Sequence, residues 1–270
     1  MDKEKFQKEV ISYYESCGRH NLPWRKHITP YRVLVSELML QQTQVERVIP
    51  YFNRWMKQYP LMKKLSDASQ GDVLRLWSGL GYNRRALALH KIARTLAHKK
   101  FPREKEELLK LPGIGHYTAG AILNFAFNQW TPFIDTNIRR VFLFHFFNDE
   151  KNVKDEEILE KMEEIGYTRS PREWGYALMD YGAFLKTKLE RNPNKKSSHY
   201  RKQKPFLYSQ RYWRSRILKI LLKKEKMKKE KLISLILEER NAPTQEEIEK
   251  IISQMEKENF FHVEKGELIL

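Results

Sequence analysis

Two carboxylates and one glycine-rich turn are the places where this chain can do chemistry. Glu37 lies inside VLVSELML, with apolar residues on most sides. Burying an ionised carboxylate there is costly, so its pKa should rise and the group can hold a proton at neutral pH. Such a group serves as a general acid, or as an acid/base acting through water. A surface glutamate on an amphipathic helix is the plainer reading. Asp135, in FIDTN, stands before a helix beginning IRRVF. It can cap that helix with one oxygen and leave the other facing a cleft, although a cap alone would also explain it. Between the two lies LPGIGHYTAGAI, Leu111 to Ile122. Pro112, Gly113 and Gly115 read as a tight hairpin between helices, the glycines permitting positive φ and close backbone approach. The next helix starts at His116, and its first amides, through Thr118, have no internal partners, which makes the turn a ready anion site. An ordinary joint with a glycine C-cap is the alternative.

Charge selects among anions. The formal net charge is +17, with 51 Lys and Arg against 34 Asp and Glu over 270 residues. From Lys186 to Lys231 there are 18 basic residues and three acids (Glu190, Glu225, Glu230), so this stretch carries +15 and the rest +2. A charge run is commonly a solvated face, but one this one-sided repels itself unless an anion sits nearby, and nucleic acid is the favoured one. Tyr200, Phe206, Tyr208, Tyr212 and Trp213 interleave with it and suit a small core better than base stacking. The hydrophobic fraction of 41% suits a globular chain, no apolar run spans a membrane, and MDKEKFQKEV has no export signal. Cys17 is the only cysteine, which excludes an internal disulfide or a cysteine-ligated cluster and points to a reducing cytoplasm.

Proline and glycine punctuate helical periodicity along most of the chain. The pattern predicts helices at 3–17, 30–42, 44–58, 71–80, 83–98, 104–110, 116–127, 136–146, 155–164 and 171–186, then a polar loop at 187–204. Further helices are expected at Tyr212–Lys223, Lys229–Glu239 and from Thr244 to about Glu258, the last opened by a Thr244/Glu247 capping box. FFHVEKGELIL closes as two short strands around Lys265-Gly266. The expected class is all-α, with a small winged-helix-like α+β unit at 208–270.

LPGIGHYTAGA with Asp135 resembles the hairpin and catalytic aspartate of the helix-hairpin-helix base-excision DNA glycosylases. NLPWRKHITPYRVLVSELMLQQTQVERVIPYF (Asn21 to Phe52) and WSGLGYNRRA (Trp77 to Ala86) are similar to the mismatch adenine glycosylases, the MutY type. The likeness runs from about Tyr13 to Gly182. It implies a glycosylase domain at 1–186 with two lobes, one a six-helix lobe at about 30–135, and double-stranded DNA across the cleft between them. It implies Glu37 as acid, Asp135 as the carboxylate facing the sugar, and Asn137 as the residue orienting Asp135. Gln41, Gln42 and Tyr82 would lie at the opened duplex; Leu22, Trp24, Arg25, Val45 and Tyr176 would line the base pocket. Gly113, Gly115, His116 and Thr118 would hold DNA phosphate. Tyr117 stands where strand-cleaving relatives of the endonuclease III type carry a lysine that attacks C1′; a tyrosine cannot do this, so base release without strand cleavage is expected.

The chain departs from that pattern in four places. Lys186 stands where the first cluster cysteine would be, so the basic loop at 187–207, with Lys195, Lys196, Arg201 and Lys202, is expected to replace the iron–sulfur loop and touch phosphate. No cofactor or metal is expected. Thr136-Asn137 replaces the usual Gly-Asn, and Tyr176 replaces a Gln or Glu, offering a hydroxyl and a flat face in place of an amide or carboxylate. Residues 208–270 show no trace of the domain by which MutY-type enzymes read 8-oxoguanine. The expected function is excision of a mispaired adenine opposite guanine or 8-oxoguanine by a monomer in the cytoplasm, at the nucleoid in a prokaryote. Excision of thymine or uracil opposite guanine, and DNA binding without catalysis, are the alternatives.

Overall fold

The computed structural model describes residues 2–201 and 205–270. They form fourteen α-helices, one 3₁₀ turn and three short strands among the described residues. The helices are α1 (Lys3–Cys17), α2 (Pro30–Leu40), α3 (Val45–Gln58), α4 (Met62–Ser66), α5 (Gln70–Trp77), α6 (Arg84–Leu96), α7 (Lys105–Leu109), α8 (His116–Phe127), α9 (Thr136–His145), α10 (Asp155–Ile165), α11 (Pro171–Lys188), α12 (Gln210–Lys224), α13 (Lys229–Leu237) and α14 (Gln245–Lys257). The strands are β1 (Lys226–Lys228), β2 (His262–Glu264) and β3 (Glu267–Ile269), and the 3₁₀ turn is Pro193–Lys196.

The chain divides into two compact units, each assembled from two segments. The first joins Met1–Gln41 to Lys100–Lys202; the second joins Gln42–Lys99 to Gln203–Leu270. The division differs from the expected boundaries at 186 and 207: the later segment joins residues 42–99, with α12 lying against α5.

In the first unit α11 is the central element, lying against α1, α8 and α9. Its start is encoded locally: the Ser170 side chain caps it, and Pro171 takes the first helical position, where no amide donor is needed. Phe6 of α1 meets Phe142, Phe146 and Trp174 edge-on. The α9–α11 crossing is close because Gly182 has no side chain: a Cβ there would fall 2.3 Å from the Asn137 carbonyl oxygen. Helix α2, opened by Thr29 and Pro30, is buried along nearly its whole length and packs on α8.

In the second unit Trp55 and Trp77 pack edge-to-face, centroids 5.5 Å apart. The later segment runs α12, β1, α13, α14, β2, β3, with an antiparallel sheet in the order β1-β3-β2. The expected hairpin is therefore the β2–β3 pair, with β1 added at its edge through Met227 opposite Leu268. The Thr244/Glu247 capping box is present. Gln70 donates to the carbonyls of Asn259 and Phe260, and Arg75 reaches Glu225, joining the two segments.

Candidate active site

The first unit brings four of the predicted residues together. Glu37, in the last turns of α2, is 3% exposed. Tyr117, in the first turn of α8, donates its hydroxyl to Glu37 Oε2 at 2.7 Å. The Glu37 carboxyl is pushed up to about 7, chiefly by burial and also by the nearby Asp135 charge, against the Tyr117 hydrogen bond and the Arg25 charge, which lower it. Burial beside Glu37 and Asp135 likewise holds the Tyr117 phenol neutral, well above its ordinary range.

Asp135 caps α9, as its position in FIDTN predicts. Its Oδ1 accepts from the amides of Asn137 (2.8 Å) and Ile138 (2.7 Å), and its Oδ2 accepts from Asn137 Nδ2 at 2.7 Å. Burial raises its pKa and these three donors pull it back. Asn137 is held in turn. Its Oδ1 accepts from Arg140 Nη1 at 3.1 Å, and the same Nη1 donates to the Gly182 carbonyl at 2.7 Å. Arg140 thus ties the Asp135–Asn137 pair to α11.

The Arg25 side chain is buried, 5% exposed, and is paired to Asp180, Nη1 to Oδ2 at 2.7 Å and Nη2 to Oδ1 at 2.9 Å. Arg19 adds its amide and Nε, each 2.7 Å from the same carboxylate. Burial alone would raise the Asp180 pKa; these donations outweigh it and keep the carboxyl below its ordinary value. The Arg25 guanidinium also lies 4.2 Å from the Tyr176 ring centroid, and that ring stacks on Phe125 at 4.4 Å. Arg25 and Tyr176 line a cavity of about 330 Å³ with Tyr14, His20, Arg172 and Glu173. Leu22 and Trp24 are buried nearby in sequence but do not line it, and neither does Glu37. Val45, the first residue of α3, belongs to the second unit and is half-buried.

At the hairpin, Gly113 alone needs the left-handed region, at φ 76°. Gly115 is extended, at φ −100° and ψ −178°, and leaves the start of α8 without a side-chain cap. Gly113, Gly115 and His116 are exposed. Thr118 is corrected as a phosphate contact: its side chain is 2% exposed and accepts from Gln41 Nε2 at 3.2 Å. Gln41 is accordingly tied inside the first unit.

The loop after α11 does something else than expected with one of its lysines. Lys196 turns inward and donates to the carbonyls of Leu143, Phe147 and Asn148, the last at 2.6 Å, and so closes the C-terminal end of α9. Asn194 Nδ2 donates to the Thr136 carbonyl at 2.9 Å, at the other end of the same helix. A backbone bridge between Val153 and Ser197 fixes the loop. Lys195 and Arg201 are exposed, and Lys202 lies outside the described residues. The loop offers amide and ammonium groups with no thiolate, and Lys186 is exposed, so these residues do not fit an iron–sulfur cluster.

Gln42 and Tyr82 belong to the second unit, and both sit in the left-handed region, at φ 54° and 48°. Non-glycine residues there carry strain of about 1 kcal/mol or more. Arg85 braces both turns: its Nη2 donates to Thr43 Oγ1 at 3.3 Å and to the Gly81 carbonyl at 2.8 Å. Trp77 Nε1 also donates to Gly81 at 3.1 Å.

Sequence reasoning missed Asp180, Arg19, Arg140 and Asn194. Asp180 carries a signal, since it lies one helical turn after Tyr176 on an apolar helix, where a lone acid requires a basic partner. Arg140 follows Asn137 by three residues.

The chain is 41% identical over 184 residues to adenine DNA glycosylase of Buchnera aphidicola subsp. Baizongia pistaciae, covering 67% of this chain and 52% of that protein. It is 44% identical over 137 residues to adenine DNA glycosylase of Mycolicibacterium smegmatis, covering 49% and 46%. The match thus spans about half the length of these relatives. A thermostable thymine-DNA glycosylase has the same fold, with a TM-score of 0.59 at 24% identity over 67% of this chain and 86% of that one. Residues 35–166, from Glu37 through the hairpin to Asp135 and α9, match the model of the HhH-GPD superfamily of base excision DNA repair proteins.

Proposed function

We propose that this protein is a DNA N-glycosylase that flips a mispaired adenine, opposite guanine or 8-oxoguanine, out of double-stranded DNA and hydrolyses its N-glycosidic bond. The observation that carries the reading is a proton-holding Glu37 within electrostatic reach of a fixed Asp135 carboxylate in the same unit. Tyr117 occupies Glu37 Oε2, which leaves Oε1 for the proton. That proton passes to N7 of the purine, the C1′–N9 bond breaks with its electron pair going to the base, and the sugar becomes an oxocarbenium ion. The Asp135 carboxylate, kept in place by three N–H donors, faces that positive charge. Water adds to C1′ and returns a proton to Glu37, leaving an abasic site. Tyr117 supplies no amine to attack C1′, so the reaction ends there without strand cleavage. Adenine is favoured because the relatives named above are adenine DNA glycosylases. The protein acts as a monomer, and the exposed hairpin around Gly113, Gly115 and His116 takes a phosphate.

End-labelled duplexes containing A:G, A:8-oxoG, T:G, U:G and paired controls, treated with alkali after incubation, test this. Cleavage at A is expected. Asp135→Asn should slow it by about a thousandfold or more while DNA binding persists. Cleavage only at T or U would reassign the substrate, and equal rates for wild type and variant would remove Asp135 from the chemistry.

A further inference from the structure

The later segment of the second unit reaches the turn that carries Tyr82. Ser78 to Tyr82 is a tight turn in which Gly79 (φ 99°) and Gly81 (φ 82°) adopt positive φ freely, while Tyr82, at φ 48°, is strained. Such a turn persists only where its surroundings over-determine it. Arg85 and Trp77 supply part of the bracing from the early segment. The rest comes from α12. Arg211 Nη1 donates to the Tyr82 hydroxyl, and its guanidinium lies 5.6 Å from the ring centroid. Arg85 lies 5.4 Å from the same centroid. The phenol is thus held by one guanidinium from its own segment and one from a segment some 130 residues away in sequence. Helix α12 is itself anchored: Arg214 and Arg84 share Glu258, and Arg75 reaches Glu225 and the Leu222 carbonyl. Arg214 and Arg216 of α12 pair with Glu258 and Glu239, whereas Arg211 is directed at the Tyr82 phenol.

We infer that Arg211 is a positioning residue for Tyr82, and that α12 thereby completes the turn that enters the duplex. The inference rests on the proposed function above and on the resemblance that puts Tyr82 at the opened duplex. An arginine donating to the phenol oxygen fixes the direction of the ring before DNA arrives, so less ordering remains to be done on binding. The role differs from a phosphate contact, which would strengthen binding to every duplex alike.

The experiment uses the full chain and an A:G duplex with 2-aminopurine beside the mismatch, whose fluorescence rises when its stacking is broken. Tyr82→Phe, Arg211→Gln, Arg211→Lys, the Phe/Gln double variant and Tyr82→Ala are compared, with thermal melting as a folding control. Arg211→Gln is expected to lower the fluorescence rise to the Tyr82→Phe level and to weaken mismatch binding about tenfold, leaving paired duplex unchanged. The double variant should show no further loss, and Arg211→Lys should recover part of the signal. Multiplying effects in the double variant, or an equal loss on paired and mismatched duplexes with a flatter salt dependence, would overturn the inference. An unchanged signal in Tyr82→Ala would instead show that Tyr82 does not enter the duplex, removing the reading beneath it as well.

Discussion

Glu37 is kept at a cost to the fold. Its carboxyl is pushed up to about 7 from an ordinary 4.5, so the folded chain binds this proton more tightly than the unfolded chain. Stability from this group is full below the unfolded value, declines as pH rises between the two values, and is gone above about 7. The gap corresponds to about 3 kcal/mol. Glu37→Gln, which can still accept from Tyr117, should therefore melt several degrees higher than wild type at about pH 8 and gain little at about pH 4, while base release is lost. Melting curves at the two pH values check this; equal melting temperatures at pH 8 would mean that Glu37 is solvated. The same site gives an opposite expectation for Arg25. Its removal leaves Asp180, whose side chain is 1% exposed, with Arg19 as its remaining partner. Arg25→Ala should cost about 3 kcal/mol in a denaturant titration. Arg25→Lys should recover only part of that, because an ammonium cannot repeat the two-pronged contact.

Helix α9 is the element on which the reading depends, and both its ends are held from outside. Asp135 caps its start, Asn194 binds the Thr136 carbonyl, and Lys196 closes its C-terminal end. Asn194→Ala combined with Lys196→Met should lower the melting temperature and slow base release about tenfold, with DNA affinity little changed. Single-turnover rates and binding isotherms together separate the two effects. Much of this was legible beforehand wherever the signal is local. Thr29-Pro30, Ser170-Pro171 and the Thr244/Glu247 box announce helix starts within a few residues, and the structure has helices there. Glu37 and Asp135 stand out because an acid in an apolar run and an acid before a helix are both short-range patterns. Helix α4 and strand β1 were not legible: β1 is the three residues Lys-Met-Lys, extended only because β3 lies beside it. Nor could Lys196 be told from Lys195, since the carbonyls that select it lie some fifty residues earlier in the chain.

At the scale of the molecule, charge is distributed unlike structure. The strongly basic stretch 186–231 runs from α11 of the first unit into α12 and α13 of the second. Replacing Lys195 and Arg201 by alanine should weaken binding to mismatched and paired duplexes equally and flatten the salt dependence by about two counterions. Lys196→Ala should act on stability and leave the salt slope unchanged. A mismatch-selective loss for Lys195 and Arg201 would mean that the loop reads the lesion. The division of the chain also bears on its synthesis. Residues 42–99 leave the ribosome long before 203–270, to which Gln70, Arg75, Tyr82 and Arg84 are bonded. The early segment must therefore wait through the making of about a hundred further residues, among them the whole of α7–α11, before its partner emerges. A chain stalled in that interval after Asp135 already carries Glu37 and Asp135 but not Arg211, so both carboxylates of the proposed reaction are made before the partner of Tyr82 emerges.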